Sequence, residues 1–436
     1  MSTVIASLKA RRGGRRAAAL LAVAGMSLAG AALTPETTAS AAPADVPKVG
    51  IVCTPGEGGV PGQPIFNLTT RTGYISLPDG NTAFMWGYSH GFDGFQHPGP
   101  VLCVEAGDQV TVILHNTLPD PTSIVFPGQE GVLADGIAST PERSGGKVTS
   151  LSTTAAAQTG TVTYSFTAAN PGTYLYESGT NPEKQVRMGL FGSIIVRPAG
   201  SPTQAYNSTN SNFTPNREFM VLLSEIDPYQ HQRVELGKPF NIDNYHPRYW
   251  LINGRGFPDS IADNGASWLP TQPYGALAEI MPNEPALARY LNVGTEDFPF
   301  HPHGNNGLVI GRDGHPLEGP AGQDLTMEKF AINLGPGQTW DVRFSWHDAE
   351  NYSATNPVPV TTPALANSFI GTFYSGSPYL GRQETLPTGT PTLNQCGEYY
   401  IISHNHALFQ ITSWGANMTG PITYMRIDPP GHYDCK

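Results

Sequence analysis

Gly107-Asp108-Gln109-Val110-Thr111-Val112-Ile113-Leu114-His115-Asn116 carries an apolar, β-branched run closed at both ends by residues that favour turns. Such a run reads as a strand. Outward from it the same grammar repeats, in Thr161-Val162-Thr163-Tyr164-Ser165-Phe166, in Ser193-Ile194-Ile195-Val196, and in Glu218-Phe219-Met220-Val221-Leu222-Leu223. Short runs separated by turn residues, in a chain with 49 Gly, 40 Pro and only 14% charged residues, predict an all-β protein of sandwich or barrel type.

At 436 residues the chain is long enough for two or three domains. The composition turns polar and Pro-rich between Pro198 and Pro215, so the expected division is a first domain over 42–200, a linker over 201–214 and a second domain over 215–436. Near residues 347–395 a second Pro-rich stretch is expected to be a surface loop.

Residues 1–41 belong to neither domain. Lys9, Arg11, Arg12, Arg15 and Arg16 precede an apolar run from Ala17 to Ala32, and Ala39-Ser40-Ala41 is a small-residue cleavage pattern. That order predicts a signal peptide, a secreted, extracellular or periplasmic product, and no membrane anchor after cleavage. The net charge is −11 over the whole chain, and loss of the basic leader makes the remainder more acidic, which argues against a nucleic-acid partner. In an oxidising compartment Cys53, Cys103, Cys396 and Cys435 are candidates for two disulfides. Three pairings exist, and proximity in sequence favours Cys53 with Cys103 and Cys396 with Cys435.

Two histidine pairs stand out, His301-Pro302-His303 and His404-Asn405-His406. On a strand, residues i and i+2 share a face, so each pair is a clamp of two imidazoles. Imidazole suits copper and zinc. The plain alternative is a set of polar residues at strand ends that hold no metal.

The order Gly99-Pro100, Gly107 to Asn116, Pro121-Thr122-Ser123-Ile124 and Pro171-Gly172-Thr173-Tyr174-Leu175-Tyr176 resembles the opening domain of the multicopper oxidases. Leu251-Ile252-Asn253-Gly254-Arg255-Gly256, Arg289 to Gly294, His301 to Gly304 and Gly397 to His406 resemble a later domain of that family. The resemblance implies two cupredoxin Greek-key sandwiches. In intact members it also implies a type 1 copper that passes electrons to a three-copper cluster reducing dioxygen.

Position by position, most of the family's ligands are replaced. Val125-Phe126-Pro127-Gly128 stands where the family has its first His-x-His-Gly, and Glu177-Ser178-Gly179 where it has its next His-x-His. Phe298, Asn405 and Gln410 occupy the positions of the type 1 histidine, cysteine and histidine. The expectation is therefore no type 1 copper, and one residual site of His301, His303, His404 and His406 holding a single copper or a close pair, with zinc as the alternative. Glu177 is left as a metal ligand, a general base or a strand-end residue.

Two functions follow. One is an oxidoreductase of reduced type acting on dioxygen or a small oxidisable substrate. The other is a non-catalytic copper-binding or structural scaffold. Two-domain members of the family assemble as trimers, which leaves a homotrimer open here.

Overall fold

The computed structural model describes residues 46–347, 399–415 and 418–428. The signal peptide expected over 1–41, the loop expected near 347–395 (apart from His347), and Cys396 and Cys435 lie outside the described residues.

The first half is a sandwich of two sheets. One runs in the spatial order Cys53–Thr54, Val101–Glu105, Phe191–Arg197 and Gly172–Glu177. The other runs Thr82–His90, Ile65–Ser76, Gln109–His115, Thr161–Thr167, Leu133–Ala134 and Ile137–Ala138. The second half repeats the design. A seven-stranded sheet is built around Glu218–Ile226, Ala286–Asn292, Thr339–Phe344 and Gly307–Arg312. A five-stranded sheet runs Ala278–Ile280, Ile422–Ile427, Tyr399–Asn405, Phe298–Pro302 and Ile332–Leu334.

Strand patterning follows from what each face meets. Gln109–His115 alternates, with Val110, Val112 and Leu114 buried in the first core and the residues between them part-exposed. Glu218–Ile226 is buried throughout. Phe219, Val221 and Leu223 fill the second core, while Met220 and Leu222 face the opposite way, into a seam with Val101, Leu175, Phe191 and Ile195 of the first half. A strand covered on both faces loses its polar alternation, which is why this run reads as continuously apolar.

Charge also crosses the seam. Arg289, fully buried, donates from Nε to Glu218 Oε1 at 2.6 Å and from Nη1 to Thr173 Oγ1 at 2.8 Å, and lies 3.4 Å from Asp341 Oδ1. Arg197 pairs with the other oxygen of Glu218. The connector at 201–214 is packed rather than free: Ala205, Tyr206 and Phe213 are buried with Leu287 and Ile310, and the Tyr206 hydroxyl donates to Asp341. Sequence composition sees only its polar residues; the three apolar ones that dock it are too widely spaced to register as a pattern.

Cys53 and Cys103 form a disulfide between neighbouring strands of the first half, and no described cysteine is free. Among the described residues no helix is long and apolar enough to cross a membrane.

Candidate metal centre

The two histidine clamps lie on adjacent antiparallel strands. Phe298–Pro302 pairs with Tyr399–Asn405 in the register Phe300 to Asn405, His301 to His404 and Pro302 to Ser403. Directly opposed residues project to the same face of a sheet. This register therefore sets His301 beside His404. Main-chain bonds continue past both strand ends, from His303 N to Ile402 O at 3.0 Å and from His406 N to Pro299 O at 2.8 Å, and hold the second histidine of each clamp in place.

The four rings form a grid. Ring centroids are 4.7 Å apart for His301 and His303, 5.0 Å for His303 and His404, 5.5 Å for His404 and His406, 5.5 Å for His301 and His406, and 5.8 Å for His301 and His404. His301, His303 and His404 are half-buried and His406 is exposed. An open cleft of about 610 Å³, walled by Asn305, Asn306 and Phe330, lies over His301 and His303.

Hydrogen bonding orients two of the rings. His301 Nδ1 lies 2.6 Å from the Phe330 carbonyl and His404 Nδ1 lies 2.8 Å from the Asn405 carbonyl. A carbonyl only accepts, so both Nδ1 atoms carry the proton and both Nε2 atoms present a lone pair. Metal-ligating histidines are commonly held by this type of outer contact. His303 Nε2 and His404 Nε2 are 3.0 Å apart. Metal–nitrogen bonds of about 2.0–2.1 Å place two neighbouring ligand nitrogens roughly 2.9 Å apart at a right angle and about 3.4 Å apart in a tetrahedron, so the spacing fits two ligands of one ion.

Electrostatics favour the neutral form of two of the rings. Burial, followed by the neighbouring imidazoles of His404, His301 and His406, lowers the His303 pKa to about 4. Burial also lowers that of His404, with His301 and His406 adding to the effect against the opposing pull of the Asn405 carbonyl. Neutral imidazole is the form that binds metal. As the side chains stand, no three described His, Cys, Asp or Glu residues are already arranged to hold a metal ion. The grid supplies proximity and two oriented lone pairs; rotation of half-exposed rings has to complete the set.

The other candidate, Glu177, ends the strand Gly172–Glu177, where its main chain bridges Val125 and pairs with Phe191. Burial raises its pKa. Its strand partners, Val125 and Phe191, both belong to the first half.

The positions that the sequence resemblance assigns to type 1 ligands lie in the second core and in a buried polar chain. Phe298 is in the second core. Asn405 Nδ2 donates to Gln410 Oε1, Gln410 Nε2 donates to Glu296 Oε2 at 2.8 Å, and Trp250 Nε1 donates to that same oxygen at 2.9 Å. Sequence reading flags Asn405 and Gln410 as replacements but not Glu296 or Trp250. No motif spacing links two residues 46 positions apart.

Comparison with known proteins agrees with this architecture. A family profile described as multicopper oxidase matches residues 71–201. L-ascorbate oxidase from Cucurbita pepo var. melopepo is 33% identical over 171 residues, covering 38% of this chain and 28% of the relative. Laccase abr2 from Aspergillus fumigatus is 28% identical over 170 residues, covering 37% of this chain and 27% of the relative. The matched stretch thus spans only a little over a quarter of these relatives. Among solved structures, multicopper oxidase mgLAC aligns with a TM-score of 0.56 at 19% identity, over 84% of this chain and 86% of its own. A blue copper oxidase from Nitrosomonas europaea aligns at 0.57 and 18% identity over the same shares. At that identity the likeness establishes the fold: cupredoxin sandwiches of the multicopper oxidase type.

Proposed function

We propose that this chain, which resembles the multicopper oxidases in sequence and in fold, is a secreted copper-dependent oxidoreductase with a reduced ligand set, its metal held by His301, His303, His404 and His406. The observation that carries the reading is the strand register that stacks the two His-x-His clamps into one grid, with His301 and His404 each held by a carbonyl at Nδ1 so that Nε2 keeps its lone pair. Four imidazole nitrogen donors suit Cu(II), and the family favours copper over zinc.

Copper, when bound, supplies one-electron exchange between a small oxidisable substrate and dioxygen. The protein's part is to favour neutral imidazole at His303 and His404, fix two tautomers through Phe330 and Asn405, and leave an open cleft beside His301 and His303. Four-electron reduction of dioxygen by a separate entry copper and a cluster is not the chemistry proposed. Phe298, Asn405 and Gln410 cannot form a type 1 site, and Val125-Phe126-Pro127-Gly128 brings no imidazole to a cluster. Glu177, whose main chain is fixed by Val125 and Phe191, keeps the three roles of metal ligand, general base or strand-end residue.

The test is copper content and EPR of the purified, copper-reconstituted protein beside His404→Ala/His406→Ala. About one non-blue, nitrogen-coordinated Cu(II), lost in the variant, supports the site, and turnover with dioxygen then supports the enzyme. Bound copper without turnover across a reductant screen makes the chain a copper-binding scaffold. Zinc retained in preference to copper, or no metal in either protein, overturns the assignment.

A further inference from the structure

The aromatic side chains beside the polar chain at Asn405 form a continuous path to the surface. Trp250 is fully buried. Its ring centroid is 5.4 Å from Phe409 and 6.3 Å from Trp414, and Phe409 stacks on Trp414 at 4.8 Å. Trp414 is 49% exposed. On its inner side, the Trp250 indole N–H ends on Glu296 Oε2, an oxygen that also accepts from Gln410 Nε2. Gln410 holds Asn405, the residue after His404. An oxygen receiving two N–H donors is acting as a carboxylate acceptor. The indole is thereby offered a base at the one atom that must lose a proton when the ring is oxidised to a neutral radical.

We infer that Trp414 and Trp250 form a one-electron relay between the surface and the strand carrying His404, with Glu296 as the proton acceptor. A one-electron oxidant at the surface takes an electron from Trp414 and is itself reduced. Trp250 refills Trp414, and as it does so its Nε1–H bond breaks and the proton moves to Glu296 Oε2. The hole then rests on a neutral, buried indolyl radical, and the charge of Glu296 is neutralised in the same step. The relay needs no metal, so it stands or falls independently of the copper assignment. If copper binds at His404, the relay ends on Trp250, three hydrogen bonds and one residue from it.

Trp268 provides the internal control. It is 62% exposed, more than Trp414, and its Nε1 also donates to a carboxylate, Asp259 Oδ1, at 3.2 Å. Among the described contacts it has no aromatic neighbour. Exposure and a proton acceptor therefore favour Trp268, and only ring-to-ring contact favours Trp250.

The experiment uses the full chain stripped of metal by chelation and exposed to photogenerated azidyl radical, a selective one-electron oxidant of indoles, with freeze-quenched EPR as the readout. The expected persistent radical sits on Trp250. Its yield falls several-fold in Trp250→Phe and in the surface variant Trp414→Phe, falls in Glu296→Gln, and is unchanged in Trp268→Phe. Near-UV circular dichroism verifies that each variant is folded, and Trp414→Phe alone decides the matter if the core variant is not. A signal that survives Trp414→Phe, or one that disappears in Trp268→Phe, overturns the relay.

Discussion

Replacing Arg289 by Met tests whether the two halves are locked by a buried charge network. Arg289 is wholly inaccessible and faces Glu218 Oε1 at 2.6 Å and Asp341 Oδ1 at 3.4 Å, with Thr173 of the first half bonded to both Arg289 and Asp341. Deleting the guanidinium leaves Glu218 with Arg197 alone and Asp341 with hydroxyl donors only. An uncompensated buried charge of this kind costs about 3–5 kcal/mol. Arg289 Nη2 is itself buried without a partner, which sets a ceiling on what the native network contributes. The triple variant Arg289→Met, Glu218→Gln, Asp341→Asn removes the three buried charges and leaves only the part-exposed Arg197, and should recover more than half of the loss.

The assay is urea unfolding followed by tryptophan fluorescence, with the midpoint and slope fitted separately. The pH dependence supplies a second check. Burial pushes the Glu218 carboxyl up, but Arg289 and Arg197 overcome it and hold its pKa below the usual value. A depressed folded pKa gives stability that is present above the unfolded pKa of about 4.3 and lost as pH falls through the folded pKa. The advantage of the native protein over Arg289→Met should therefore narrow below about pH 4. A loss under about 1 kcal/mol in the single variant would refute burial of these charges. A triple variant as unstable as the single would assign the loss to packing rather than to charge.

Three further outcomes follow from other buried features. Burial first, and His231 second, lower the His97 pKa to about 3, so below the unfolded value of about 6.5 the unfolded chain takes up a proton that the native protein refuses. This group alone should cost about 2 kcal/mol between pH 7 and pH 5, and His97→Phe should flatten that slope in unfolding measured across the range; an unchanged slope would sink the assignment. Opening the Cys53–Cys103 bridge, which spans 50 residues, by Cys53→Ser/Cys103→Ser should cost about 4 kcal/mol by the loop-entropy relation, read from denaturant midpoints. A side chain at Gly189, where φ is +114° and a Cβ would come within 2.3 Å of the Trp86 carbonyl, should cost at least about 2 kcal/mol, so Gly189→Ala should lower the thermal midpoint by several degrees.

Alternation in Gln109–His115 and Thr161–Thr167 was legible as strand because each packs one face on a core and leaves the other in solvent. The continuous run at Glu218–Ile226 was legible as strand too, but its reason was not. Whether both faces are covered depends on a seam made with Phe191 and Ile195, which are remote in sequence. The histidine clamps were visible because i and i+2 spacing is local. Their union was not, since it rests on a register that sets His301 opposite His404, and a slip of one residue would turn one clamp into the core.

The sequence by itself determined an all-β chain of two sandwiches and two local pairs of imidazoles, because these are properties of neighbours along the chain. Only the tertiary structure decided that four imidazoles share one face, that the connector is docked through Tyr206, and that Glu296 and Trp250 close a polar chain behind Asn405. Those arrangements depend on strand register and on which faces meet, and both are set by the packing of segments whose separation in sequence carries no periodic trace.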